Sequence, residues 1–89
     1  MQGRRLPDIK LEDWYGRDTE DTFKPGDYAR FRNLVVFRLP NGILGTLSTR
    51  IHSVTDEPDG TLTVSPSILT QHGDRQWHGY LKKGIWEEC

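Results

Sequence analysis

The chain has 89 residues, a net charge of −1 at pH 7, one cysteine and no long apolar run. That length allows one domain with a small core, and the near-neutral charge gives no whole-chain field to draw in nucleic acid or an anionic membrane. Three each of Trp, Tyr and Phe argue against disorder, and 34% apolar residues without a continuous stretch exclude a membrane span.

Residues 1–26 read as an irregular arm flanking a single small domain at 27–89. Within the arm, Ile9 and Leu11 alternate with charged residues after Pro7, a short strand pattern, although Leu11–Tyr15 also fits one helical turn. Arg4 and Arg5 are not followed by the apolar stretch of an export signal. With Cys89 alone unable to form an internal disulfide, the expected setting is a cytoplasm. Lys24-Pro25-Gly26-Asp27 is a turn, because Pro presets φ at its second position and Gly accepts positive φ at its third.

Residues 28–39 carry the strongest strand signal. Odd positions from Ala29 to Leu39 are expected to face the core, with Arg30, Arg32 and Arg38 facing out. Asn33 interrupts the apolar face and marks either a bulge or a tight turn that splits the segment. Asn41-Gly42 is a hairpin signal. Ile43 to Leu47 fits a returning strand or a single helical turn. Residues 51–55 alternate and are rich in β-branched residues; with Asp59-Gly60 and the run 61–64 they form a second hairpin. Pro66 ends that ladder or sets it at an edge, with Ser67-Ile68-Leu69 continuing after a bulge. Residues 71–76 read as a polar loop around Gly73. In the final unit, a three-residue loop Lys82-Lys83-Gly84 would place His78, Tyr80, Trp86 and Glu88 on one face. The pattern therefore predicts a mostly β protein: a small antiparallel sheet, sandwich or partly open barrel of five to seven short strands. At least two of Trp14, Trp77 and Trp86 are expected in its core. Open strand edges and a small core also favour a homodimer.

The chemistry-bearing residues form no catalytic signature. Serines and histidines are present, but the nucleophile elbow of a serine hydrolase is not, and the carboxylate clusters fall in polar loops. No enzyme activity and no cofactor are expected. His52, His72, His78 and Cys89 could in principle hold a zinc ion, but they lack paired ligand spacing. Residues 27–50 hold Arg30, Arg32, Arg38 and Arg50 against Asp27 alone, a candidate nucleic-acid face. Trp77, His78, Tyr80 and Trp86 are the candidate binding aromatics of the C-terminal unit.

Three stretches of that C-terminal half, Ser65-Pro66-Ser67-Ile68, Trp77-His78-Gly79-Tyr80 and Gly84-Ile85-Trp86, together resemble a group of small uncharacterised proteins encoded by bacteriophages and prophages. Leu39-Pro40-Asn41-Gly42 is similar as well. The resemblance covers about half of the chain and brings no activity with it. It implies a phage accessory protein in the host cytoplasm that binds a host protein, for instance to block a defence system. Nucleic-acid binding through the arginines and small-molecule or nucleotide capture by Trp77, His78 and Tyr80 are the alternatives.

Overall fold

The structure, a computed structural model, describes residues 1–7 and 23–89. These residues form eight strands and no helix: β1 (Arg4–Arg5), β2 (Asp27–Phe31), β3 (Leu34–Arg38), β4 (Leu44–Ser48), β5 (Ser53–Asp56), β6 (Leu62–His72), β7 (Arg75–Lys82) and β8 (Ile85–Glu88). They make two four-stranded sheets in sequence order, β1-β2-β3-β4 and β5-β6-β7-β8, antiparallel except for the β1–β2 pair. The expected all-β class holds, with more strands than expected because 28–39 splits in two and Arg4–Arg5 adds a short strand. The readings of Ile9–Tyr15 and of Trp14 lie outside the described residues.

The split occurs at Arg32-Asn33, where Arg32 adopts φ 56° and Phe31 pairs with Leu34. A two-residue turn reverses the chain without restoring the original phase. The core-facing residues are therefore even in β2 (Tyr28) and odd in β3 (Val35, Phe37). The single odd-numbered face expected across 28–39 is corrected accordingly: Ala29 packs on the opposite side of the sheet, with Phe23 and Val36, and Phe31 is only partly buried.

The main core lies between the sheets. Tyr28, Val35, Phe37, Leu39, Ile43 and Leu47 from the first meet Leu62, Val64, Ile68, Trp77, Leu81 and Trp86 from the second. Trp86 is its centre, with ring centroids 5.7 Å from Trp77, 5.8 Å from Phe37 and 6.3 Å from Tyr28. The edge-on geometry with Trp77 and Tyr28 is the arrangement aromatic quadrupoles favour. The indole N–H donates to Gly26 O at 2.8 Å, so the largest core residue buries no unpaired donor.

Residues 1–5 join the sheets along one edge. The Met1 ammonium donates to Trp86 O (2.9 Å), Trp86 N donates to Met1 O (2.8 Å) and Gly3 N donates to Gly84 O (2.7 Å), which lays the chain against β8. Arg4 and Arg5 then pair with β2. Gly3 is required at this crossing, because a Cβ there would sit 2.8 Å from both Gly26 O and the Trp86 indole nitrogen. Arg4 closes the join by gripping the buried Asp27 carboxylate through Nη2 (2.7 Å) and Nε (3.1 Å). On the other side β4 and β5 form no ladder with each other, so the barrel stays open.

In β6, Pro66 follows the last residue paired with β5, and the β7 ladder shifts register between Val64 and Ile68. The strand thus continues past Pro66 through an irregularity. Two expected loops are tighter than the sequence reading. The β6–β7 hairpin pairs His72 with Arg75, leaving Gly73-Asp74 as the turn in place of a 71–76 loop. The β7–β8 hairpin pairs Lys82 with Ile85, leaving Lys83-Gly84, both at positive φ.

Candidate functional site

The two-residue turn sets the faces of the C-terminal unit. Leu81 pairs with Trp86, and both point into the core together with Trp77. His78, Tyr80 and Lys82 alternate with Trp77, Gly79 and Leu81 and point to solvent. The expected shared face of His78, Tyr80, Trp86 and Glu88 is therefore corrected: Trp86 lies on the inner side, because the loop is one residue shorter than the spacing suggested. Trp77 is likewise 2% exposed, so it does not share a surface with His78 and Tyr80. Gly79 lets Trp77 and the β8 backbone close over it, since a Cβ there would overlap Glu87 O and stand 2.6 Å from the Trp77 ring.

The outer face of the second sheet carries the side chains this arrangement frees. Tyr80, Lys82, Lys83 and Ile85 meet Thr63, Val64, Ser65 and Glu57 around a groove of about 490 Å³. The Lys82 ammonium lies over the Tyr80 ring, 5.1 Å from its centroid. Beside the groove His78 Nε2 and Ser67 Oγ are 3.0 Å apart. At one end Asp59 accepts from Thr61 Oγ1 (2.6 Å) and Thr61 N (3.0 Å), and these bonds hold its carboxyl below the usual carboxylate range. Leu69, Tyr80 and Ile85 are all exposed on this face.

The four arginines do not form one positive face. Arg30 donates to Asp56 (2.9 Å), a carboxylate it shares with Arg5 (3.0 Å). Arg38 is half-buried and donates to Gly42 O and Phe23 O, both at 3.0 Å. Arg32 stands in the β2–β3 turn over Phe31, with its guanidinium carbon 5.4 Å from the ring, and Arg50 lies in the turn after β4, at the same end of the sheet. Arg38 is at the opposite end.

The four residues named for zinc are separated too. His52 lies in the β4–β5 turn with Nδ1 buried, His72 ends β6, and His78 is on the outer face of β7. Cys89 is exposed and bonds His78 through the backbone alone, N to O at 2.9 Å. Among the described residues no three His, Cys, Asp or Glu side chains cluster as metal ligands do. No described helix is long and apolar enough to cross a membrane.

Compared with known proteins, the chain matches no family model, no curated protein and no solved structure.

Proposed function

We propose that this chain is a non-enzymatic binding protein that takes a host protein on the outer face of its second sheet, in the cytoplasm of a phage-infected bacterium. The observation that carries this reading is the pair of exposed Tyr80 and Ile85 at one groove, with Leu69 exposed on the same face beside His78, on a sheet whose other face is the core. An aromatic ring with a polar tip beside aliphatic groups, rimmed by lysines and hydroxyls, is the composition of a protein-binding hot spot. The phage setting rests on the Ser-Pro-Ser-Ile, Trp-His-Gly-Tyr and Gly-Ile-Trp stretches of the C-terminal half.

The test is affinity capture from host lysate by the wild-type protein and by Tyr80→Glu. A partner retained by the wild type and by Arg50→Gln, but lost with a folded Tyr80→Glu, supports the proposal. Equal retention by both variants, or no specific partner, refutes it. Small-molecule capture is the second reading, favoured by the groove's volume, which lies in the range of ligand sites. A nucleotide that raises the melting temperature of the wild type but not of Tyr80→Ser would establish it instead.

A further inference from the structure

The outer face of the second sheet presents a square of side chains on β7 and β8. Tyr80 stands opposite Glu87 and Lys82 opposite Ile85, and all four are exposed. One diagonal of the square, Tyr80 to Ile85, is apolar. The other, Lys82 to Glu87, holds opposite charges. Such diagonal neighbours are about 7–8 Å apart, and Lys82 leans over the Tyr80 ring. Among the described residues neither Lys82 nor Glu87 has an ion-pair partner. The charges around the square balance as well, since Lys83 and Glu57 line the same groove. A face of this kind offers no net field to a partner of one sign, but it complements itself.

We infer that this face binds a second copy of the chain to form a two-fold symmetric dimer. An isologous contact sets each residue on its own symmetry mate or exchanges it with one other. With the two-fold axis along the Tyr80–Ile85 diagonal, Tyr80 meets Tyr80 and Ile85 meets Ile85 of the second copy. Lys82 of each copy then meets Glu87 of the other, within reach of the long side chains. An axis along or across the strands would set each charge on an uncharged residue, and the opposite diagonal would set Lys82 on Lys82. The paired arrangement crosses the two sheets steeply, toward the orthogonal class of sheet packing. Four strands about 4.8 Å apart, at the length of β7, give a face of about 500 Å² per copy and on the order of 1,000 Å² in all, which is the low end for a specific pair. The dimer is therefore weak and reversible. It covers the face assigned above to a host protein, so self-association and host capture exclude each other, and that consequence alone rests on the host-binding reading.

Sedimentation equilibrium of the purified protein at low salt, from micromolar to millimolar concentration, measures the association. A reversible monomer–dimer equilibrium is expected. Lys82→Glu alone and Glu87→Lys alone each bring like charges together at both symmetry-related contacts, and each is expected to weaken the dimer about tenfold or more. An equimolar mixture of the two variants restores both ion pairs in a heterodimer, so its association is expected to return to the wild-type level. Both side chains are exposed, so neither replacement removes core. A wild-type chain that is monomeric at millimolar concentration overturns the inference. So does a dimer unchanged in both variants, as pairing through the open β4 or β5 edges would give, or a mixture that associates no better than its components. No host factor is present, so the outcome is independent of the lysate capture.

Discussion

The Tyr28 hydroxyl is the least comfortable polar atom of the core. The side chain is fully buried, its ring packs edge-on against Trp86, and its oxygen has no hydrogen-bond partner. An orphaned buried hydroxyl costs about 1–3 kcal/mol. Tyr28→Phe keeps the ring contact and removes the penalty, so it is expected to raise unfolding free energy by about 1 kcal/mol in urea denaturation. Burial also pushes the phenol's pKa above its ordinary 10.0. The folded state then holds its proton where the unfolded chain has lost it. Stability from this source is complete below pH 10 and is lost as pH rises through the folded-state value. The alkaline decline should therefore be shallower in Tyr28→Phe, as read from melting temperatures across the alkaline range.

At the scale of elements, two turns carry backbone conformations that their residues disfavour. Lys83 has φ 47° and Gly84 φ 76°, the pair of positive values that a two-residue hairpin needs to match strand twist. Glycine is suited to this and lysine is not. Lys83→Asn is expected to stabilise by about 0.5–1 kcal/mol, measured as a raised melting temperature. Gly79→Ala in the adjacent strand acts in the other direction. Its methyl would overlap Glu87 O, so the β7–β8 ladder must open, at about 1–3 kcal/mol in the same measurement.

These same turns mark where the sequence stops being readable. Asn41-Gly42 and Asp59-Gly60 announce their hairpins because each has glycine at a position with positive φ. Arg32 and Lys83 adopt positive φ without being glycine, so although Asn33 and Gly84 beside them signal a turn, the two-residue length is not signalled. The β7–β8 turn, one residue shorter than Lys82-Lys83-Gly84 implies, shifts the register by one, so Trp86 leaves the face it was expected to share with His78 and Tyr80, while the alternation of His78 and Tyr80 themselves is legible. The Gly73-Asp74 turn did carry a glycine signal. In the polar run 71–76 that glycine does not fix the length of the turn, so the pairing of His72 with Arg75 is not legible from the sequence.

For the whole molecule, Trp86 ties the two layers together. It touches Tyr28 and Phe37 of one sheet and Trp77 of its own, and it holds Gly26 O. Trp86→Ala would remove these contacts at about 3–5 kcal/mol, a large share of what a domain this size has available. Loss of cooperative thermal unfolding, followed by near-UV circular dichroism, is the expected outcome. Trp86→Phe retains part of the ring contact but removes the indole donor and leaves Gly26 O with the longer bond from Arg4 N (3.2 Å) alone, so an intermediate loss is expected.

The segment from Met1 to Arg5 has a kinetic side as well. It pairs with β8 through one half and β2 through the other, so its docking surface does not exist until both sheets have been assembled and stacked. Contacts between residues 85 positions apart, such as Met1 with Trp86, also close the longest loops in the protein. The strap is therefore the last piece to settle and the first to detach in a fluctuation short of unfolding. Each detachment bares the β8 edge and the Trp86 backbone to solvent while β6 and β7 stay paired. Amide exchange at Gly3, Arg4 and Trp86 should run ahead of that at Ile68 and Gly79, with the core still folded.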